Sequence, residues 1–505
     1  MNISQAKEFI RNTVQLYLKK DDYGTYRIPI VRQRPIFLLG APGIGKTAIM
    51  EQIAQEMGIA LVSYSMTHHT RQSALGLPFI TQKQYGDEEY SVSEYTMSEI
   101  IASVYDTMER SGLKEGILFL DEINCVSETL FPSMLQFLQY KVFGRHAVPE
   151  GWVIVTAGNP PEYNRMVREF DVVTMDRMKL LEVEPDLKAW QRYAGERRLH
   201  AAVTSYLEIR QDHFYVMELN AKGRSYVTAR GWEDLSEILL LYEEEKLKID
   251  EALIGQYLHN EKVVKEFAAY YELFEKYKRD YHIAEILKGN ADANAIKRAQ
   301  NARFDERISL LGMLADRVET DMQEVLDRAD VLTALQPVLK GMKAQAEGSA
   351  DTESLTGIAH KALEHRRQQR KKLSAGGALS EQQRRQEIRT EAFLEEILHA
   401  MNGSMASEGK EVFAAAAALY TQALSVLQES TGQVQAELKA LFGFAEEAFA
   451  EGNEMMILLT RLTVSKTASR FIGLFGSEEY LRLSSGMMVT ERSGALREEI
   501  LKLDL

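Results

Sequence analysis

Short apolar runs alternate with longer segments of helical periodicity over the first 185 residues. Residues 1–20 repeat apolar positions every three or four residues, which predicts an amphipathic helix. Further on, near-continuous apolar runs are typical of buried strands, and helical patterns such as that of residues 46–57 lie between them. Five strands are predicted in this way, at residues 36–39, 59–64, 117–120, 152–156 and 180–183. Because buried strands separated by helices are typical of a parallel sheet covered on both faces, we predict an α/β core.

Two insertions interrupt this alternation. In the first, residues 79–81 and 90–92 flank the turn-forming segment Tyr85-Gly86-Asp87, a pattern typical of a β-hairpin. The second, at residues 142–151, predicts another hairpin just before the fourth strand.

Beyond Pro185 the runs typical of strands largely stop, and helical patterns continue from residue 187 to about residue 339. Residues 341–386 are polar, poor in large apolar side chains and interrupted by Gly348 and by the pair Gly376-Gly377. This composition predicts either a linker or an exposed helical hairpin that turns at the glycine pair. Helical periodicity resumes near residue 390, so the sequence predicts a long all-α region after the α/β core.

Composition narrows the class of protein. Of the 505 residues, 45% are hydrophobic, which is enough for a sizeable core. The net charge of −14 disfavours non-specific binding to nucleic acid, because the phosphate backbone would be repelled. Cys125 is the single cysteine, so a reducing compartment fits best. No apolar run is long enough to cross a bilayer and the N-terminal residues lack a secretion signal, so we expect a cytoplasmic protein.

The segment after the first predicted strand matches the pattern G-x-x-x-x-G-K-[ST] at each fixed position, and a helical pattern follows it. Glycines let such a loop curl so that several backbone N–H groups face phosphate oxygens, and the helix adds the positive end of its dipole. The lysine can reach the β- and γ-phosphates, and the threonine hydroxyl can join a magnesium shell. The sequence therefore predicts a P-loop that binds ATP and Mg²⁺. Its residues are Gly40, Ala41, Pro42, Gly43, Ile44, Gly45, Lys46, Thr47 and Ala48.

Two carboxylates end the third predicted strand. Residues 117–120 are apolar, and Asp121 and Glu122 follow them directly. In a parallel sheet this strand end lies at the same edge as the P-loop. We therefore predict that Asp121 holds magnesium and that Glu122 orients and polarises the attacking water.

The order of P-loop, acidic strand end and a later strand with a polar end resembles the AAA+ family. Residues 156–160, Thr-Ala-Gly-Asn-Pro, are similar to its sensor-1 strand. In that fold this strand lies between the strands of the P-loop and of the acidic pair. The resemblance implies that Asn159 lies between Lys46 and Glu122, where it can contact the γ-phosphate or the water.

The same resemblance implies that two arginines belong to the site. Residues 175–178, Met-Asp-Arg-Met, resemble the Leu-Asp-Arg-Phe segment of MoxR-type members, with Met in place of Leu and of Phe. This implies that Arg177 reaches the γ-phosphate held by a neighbouring subunit, and Arg165 and Arg168 are alternatives for that role. Arg230 resembles sensor 2 at the start of a lid helix, although this chain has Ala where MoxR-type proteins usually have Pro.

The two predicted hairpins resemble an insert in helix 2 and a hairpin before sensor 1. MoxR-type ATPases share these with magnesium chelatase subunits and with the McrB-like and dynein-like lineages. The resemblance covers roughly residues 20–280. We accordingly divide the chain into an α/β nucleotide-binding subdomain (1–185), a helical lid (186–280), a helical extension (281–340), a polar linker or exposed helical hairpin (341–389) and a C-terminal helical domain (390–505).

The MoxR resemblance implies a ring, expected to be a hexamer, that uses ATP to remodel protein clients as a chaperone. Such members act with a partner that carries a von Willebrand factor A domain. A McrB-like motor that works on nucleic acid is an alternative, favoured by nine Lys/Arg against three Asp/Glu in residues 361–390 and disfavoured by the net charge. A nucleotide-gated scaffold is a further alternative, which the complete set of predicted catalytic residues disfavours.

Overall fold

The computed structural model describes the chain except residues 69–71, 73, 75, 164–166, 221–222, 348–351, 404–408, 450–452 and 485–505. The chain divides into two compact units. The first unit comprises residues 1–189 and 359–395, and the second comprises residues 190–358 and 396–505. The division into five consecutive segments expected from the sequence stays a prediction.

The first unit contains a five-stranded parallel sheet in the order β2-β5-β8-β1-β9. Its strands are β1 (Ile36–Gly40), β2 (Ala60–Ser65), β5 (Gly116–Asp121), β8 (Trp152–Gly158) and β9 (Lys179–Val183). Every residue of β8 is buried, and so are the first five of β5, as expected for central strands covered on both faces. The predicted α/β core and all five predicted strands are confirmed.

Helices flank this sheet, and β-hairpins interrupt it. The helices are α1 (Ile3–Tyr17), α2 (Lys46–Met57), α3 (Glu99–Ser111), α4 (Phe131–Tyr140) and α5 (Val172–Asp176). The hairpins are β3 (Pro78–Tyr85) with β4 (Glu88–Tyr95), and β6 (Val142–Phe143) with β7 (His146–Ala147). Local signals explain the helix ends: Asn2 and Gln5 form a capping box on α1, and Ser98 caps α3. Both predicted hairpins are confirmed.

The second unit is mainly helical. Its helices, counting α6 that crosses the boundary, are α6 (Leu187–Arg197), α7 (Ala201–Ile209), α8 (Ala229–Glu244), α9 (Glu251–Ile254), α10 (Glu261–Tyr281), α11 (Ile283–Leu287), α12 (Ala293–Asn301), α13 (Phe304–Glu347), α16 (Gly409–Phe449), α17 (Glu454–Val464) and α18 (Lys466–Phe475). The 44-residue α13 packs against α7, α10 and α16. The predicted all-α region is confirmed except at one place.

That exception is an antiparallel strand pair, β10 (Val216–Asn220) with β11 (Gly223–Val227). The sequence predicted continuous helical patterns from residue 187 to about 339, which is wrong here. Asn220 and Gly223 flank the connection, and both residue types favour turns over helices. A backbone bridge from Tyr226 to His259 also contributes hydrogen bonds that sequence periodicity does not reveal.

A helical hairpin crosses both unit boundaries. It consists of α14 (Thr352–Ala375) and α15 (Glu381–Gly403), with Gly376-Gly377 in the turn between them. Residues 359–395 of this hairpin belong to the first unit. Its arginines pair with glutamates across the two helices, for example Arg366 with Glu387 and Arg370 with Glu391. Among the described residues, no helix is both long enough and apolar enough to span a membrane.

Candidate active site

The P-loop connects β1 to α2 at the carboxyl edge of the sheet. Gly43 and Gly45 have φ angles of 72° and 94°, which lie in the left-handed region that favours glycine. Gly40 is packed too closely for a side chain, because an added Cβ would lie 2.7 Å from the carbonyl oxygen of Val183. Gly45 is the N-cap of α2 and offers no side-chain cap, so the first turn of the helix opens onto the loop. A helix start of this kind suits an anion such as phosphate.

Lys46 is buried, with 8% of its surface exposed, at the start of α2. Its Nζ donates hydrogen bonds to the carbonyl oxygens of Gly40 at 2.7 Å and Ala41 at 2.9 Å, and to Oδ1 of Asn159 at 2.8 Å. The ammonium group is therefore held within the curl of the P-loop and beside the end of β8. The structure thus brings together Lys46 and Asn159, as the sequence predicted.

Thr47 and Asp121 supply oxygen atoms on the other side of the loop. Oγ1 of Thr47 donates to Oδ2 of Asp121 at 3.1 Å. A hydroxyl and a carboxylate are oxygen ligands of the kind that Mg²⁺ takes beside phosphate oxygens and water. These residues therefore fit the predicted magnesium ligands. The described residues hold no cluster of three His, Cys, Asp or Glu side chains that would bind a metal without a phosphate.

Glu122 follows Asp121 in a strained backbone conformation, with a φ angle of 55°. Its N–H donates to Oδ1 of Asp121 at 2.9 Å. Its Oε2 accepts hydrogen bonds from Oγ of Ser65 at 3.0 Å and Oγ1 of Thr67 at 3.1 Å. β2, which ends at Ser65, lies on the opposite side of β5 from the P-loop strand. The hydroxyl pair therefore holds the carboxylate on the side of β5 that is away from Lys46.

Asn124 was not predicted as a site residue. It is 3% exposed, and its Nδ2 donates to the carbonyl oxygen of Asn159 at 2.8 Å. The carbonyl oxygen of Asn124 accepts from the N–H of Arg168 at 2.9 Å. Asn124 thus holds the backbone of Asn159 and of Arg168 by one hydrogen bond each. Its position two residues after Glu122 was the only sequence signal available, and Ser65 and Thr67 had none.

The three candidate trans arginines have different surroundings. Arg177 is exposed at the end of α5, and its Nη1 donates to Oε1 of Gln139. Arg168 pairs with Glu128. Arg165 lies outside the described residues. Of the two described arginines, Arg177 therefore donates to a side-chain amide, whereas Arg168 forms an ion pair.

Arg230 belongs to the second unit. It is exposed and occupies the second position of α8, where Oγ1 of Thr228 caps the helix by accepting from the N–H of Gly231 at 3.1 Å. Arg230 therefore lies at the start of a helix, as the sequence predicted. Its role towards nucleotide stays a prediction.

One comparison with known proteins found a similarity. Residues 35–178 match the family model of an AAA domain of the dynein-related subfamily. This part of the first unit is therefore similar to an AAA domain. The match runs from the start of β1 to the start of β9, so it includes the P-loop, both acidic residues, Asn159 and Arg177. An AAA domain implies nucleotide binding and an ATP-driven motor activity. A search of curated proteins found no match to the chain.

Proposed function

We propose that the chain is a MoxR-type AAA+ ATPase that hydrolyses Mg-ATP and uses the energy to remodel protein clients. The observation that carries this proposal is the set of contacts at the P-loop. Lys46 touches Asn159, Thr47 touches Asp121, and Glu122 adjoins Asp121. These side chains lie at or after the ends of three separate strands, β1, β5 and β8, so their meeting at one sheet edge supports a catalytic site rather than three unrelated polar turns.

The residues divide the chemistry of hydrolysis among them. The curled P-loop and Lys46 bind and orient the β- and γ-phosphates. Thr47 and Asp121 would hold Mg²⁺, which supplies positive charge to the phosphate oxygens. Glu122, once it turns towards the γ-phosphate, polarises a water whose oxygen bonds to the γ-phosphorus as the bond to the β–γ bridging oxygen breaks. Asn159 orients that water or the γ-phosphate, and the products are ADP and inorganic phosphate.

The position of Arg177 supports an oligomeric ring. The arginine is exposed, and the preceding helix α5 also exposes Val172 and Val173, which are 83% and 60% exposed. Apolar side chains next to an exposed arginine suit a contact with a second copy. We propose that Arg177 completes the site of the neighbouring copy in a ring, expected to be a hexamer. A role for Arg230 as sensor 2 belongs to the same proposal.

Protein clients are favoured over nucleic acid by two surfaces. The hairpin β3–β4 exposes aromatic and aliphatic side chains on a ribbon that carries more acidic than basic residues. These side chains are Phe79, Ile80, Tyr85, Tyr90 and Tyr95. Part of the basic charge of residues 361–390 is neutralised, because Arg366, Arg367 and Arg370 pair with glutamates. Together the two surfaces support a polypeptide client over the McrB-like alternative. A von Willebrand factor A-domain partner is part of the proposal.

The test is steady-state ATPase activity of the full chain beside the variant Glu122→Gln. Losing a residue that activates water lowers kcat by about 10²-fold to 10⁴-fold. We expect this loss with ATP binding retained, measured by equilibrium binding of a fluorescent ATP analogue. Glu8→Gln, at an exposed position of α1, is the matched control and should keep the wild-type kcat.

Two results would contradict the proposal. A wild-type chain that binds ATP without turning it over would favour the nucleotide-gated scaffold. Stimulation of kcat by DNA or RNA, and none by an unfolded polypeptide, would favour the nucleic-acid motor.

A further inference from the structure

The turn of the α14–α15 hairpin, residues 373–379, lies on the edge strand of the AAA sheet. We call these residues the hairpin tip. The N–H of Leu61, on β2, donates to the carbonyl oxygen of Gly376 at 2.9 Å. Gly376 and Ala378 are both buried. An edge strand has N–H groups without a strand partner, and the hairpin tip provides one.

The contact at Gly376 is tight. An added Cβ would lie 2.9 Å from Cδ1 of Leu113 and 3.0 Å from Cβ of Ser111. Both residues come at the end of α3, so the hairpin tip contacts two elements of the AAA domain. α3 is itself tied to β2, because the hydroxyls of Tyr64 and Ser103 lie 2.6 Å apart. A side chain at residue 376 would therefore press on Leu113 and Ser111, so that the hairpin tip or the end of α3 must shift.

Ion pairs between its helices make this hairpin stiff near the tip. Arg370 binds Glu391 through two bonds, from Nε to Oε1 at 2.7 Å and from Nη2 to Oε2 at 2.9 Å. Nη1 of Arg366 donates to both oxygens of Glu387, at 3.2 and 2.9 Å. The Glu391 side chain is only 7% exposed, so solvent screens its pair with Arg370 little. Arginine–glutamate pairs with two hydrogen bonds each hold the two helices in a fixed register.

The strand that the hairpin tip contacts also carries the residue that restrains Glu122. Leu61 lies four residues before Ser65 on β2, roughly 13 Å along the strand. Ser65 and Thr67 hold the Glu122 carboxylate on the side of β5 away from the P-loop. A shift of β2 would therefore alter these two hydrogen bonds.

We propose that the hairpin tip is a positioning element for ATP hydrolysis. By fixing β2 at Leu61, it keeps the Ser65 and Thr67 hydroxyls where they restrain Glu122, and its displacement frees the carboxylate to turn towards the γ-phosphate. This inference rests on the proposed ATPase function. In this proposal the helical hairpin lowers the basal rate of ATP hydrolysis.

The test compares Gly376→Ala with Gly357→Ala in the full chain. Gly357 lies in the same helix α14 but has no atom within 4 Å of an added Cβ, so its variant controls for the change in residue type. Displacing one element that couples to a site typically changes its behaviour by a few-fold. We expect Gly376→Ala to raise basal kcat about threefold with KM for ATP unchanged, while Gly357→Ala keeps the wild-type values.

A double-mutant cycle separates positioning from general loosening. In Ser65→Ala/Thr67→Val the restraint is absent, so kcat should already be raised, and adding Gly376→Ala should change it no further. A kcat of Gly376→Ala that equals or falls below that of wild type would overturn the inference but not the proposed function. The same holds if Gly376→Ala changes kcat equally in wild type and in Ser65→Ala/Thr67→Val. A wild-type chain without ATPase activity would overturn the proposed function and the inference with it.

Discussion

Lys141 is a buried amine in the first unit. It follows α4 with a φ angle of 58°, is 2% exposed, and its Nζ donates to the carbonyl oxygen of Ile30 at 2.7 Å. Burial lowers the pKa of Lys141 to about 7. An unfolded chain would carry this amine with an ordinary pKa near 10.5. The buried amine therefore makes stability depend on pH above neutrality.

The sign of this dependence follows from proton binding. Between pH 7 and about 10.5 the unfolded amine holds its proton and the folded amine does not, so stability rises with pH across this window. We expect Lys141→Met to be more stable than wild type by about 1–2 kcal/mol at pH 7, after the lost hydrogen bond to Ile30 is counted. The difference should shrink towards pH 10. Urea unfolding at several pH values measures it, with the exposed Lys19→Met as control, and a difference that is constant with pH would contradict it.

Single residues of the site were predictable where a motif fixes their spacing. Lys46, Thr47, Asp121 and Asn159 meet as expected because each ends or follows an apolar strand whose neighbours a parallel sheet dictates. The partners of these residues were not predictable. Ser65, Thr67 and Asn124 act through hydrogen bonds between segments far apart in sequence, and no spacing rule links them to Glu122 or Asn159.

At the scale of elements, one carboxylate in the second unit connects three helices. Glu243, near the end of α8, accepts from Nε2 of His200 at 2.8 Å, the hydroxyl of Tyr271 at 2.7 Å and Nζ of Lys278 at 2.8 Å. Nδ1 of His200 accepts from the N–H of Ala202 at 3.1 Å and so caps α7, which assigns the Nε2 proton to Glu243. Burial by itself would raise the pKa of Glu243, but these hydrogen bonds outweigh it and lower the pKa to about 2.

Replacing this carboxylate should loosen the contacts among α7, α8 and α10. A carboxyl with a lowered pKa stabilises the fold above its ordinary pKa near 4.5, and that contribution is lost as the pH falls from 4.5 towards 2. We expect Glu243→Gln to lower stability by about 2 kcal/mol at pH 7, and by less at pH 4. Thermal unfolding at the two pH values tests this. Glu244→Gln, an exposed neighbour on α8, should have no such effect, and equal behaviour of the two variants would refute the prediction.

Elements were predictable where apolar periodicity is strong. The sheet strands and the helix of residues 46–57 agree with the structure because burial on both faces leaves a continuous apolar run. The pair β10–β11 was missed because its two five-residue strands have no such run, and no spacing rule links Tyr226 to His259, with which it forms a bridge.

At the scale of the whole molecule, the proposed site is shared between two copies. Arg177→Ala should lower kcat by about 10³-fold, since a trans arginine contributes a factor of that order, while ATP binding persists. Glu122→Gln should be similarly inactive. In a random equimolar mixture of the two variants, roughly a quarter of the contacts between copies combine an intact Glu122 with an intact Arg177.

We therefore expect the mixture to recover activity that neither variant has alone. The measurement is the steady-state ATPase rate of each variant and of the mixture after co-refolding or subunit exchange. Arg168→Ala is the control: Arg168 pairs with Glu128, and this variant keeps both Glu122 and Arg177, so it should be active without a partner variant. A mixture as inactive as its components, with exchange demonstrated, would refute a site shared through Arg177.

The first unit is assembled from two stretches of chain with residues 190–358 between them, which has a consequence for synthesis on the ribosome. At about 5–20 residues per second, residue 395 is made roughly ten to forty seconds after residue 189. During that interval the nascent AAA domain already has its P-loop, but Leu61 lacks its partner Gly376. An edge strand with an unpaired N–H can pair with another chain. We therefore expect nascent chains to be more prone to aggregation between these two points of translation than after the hairpin has been made.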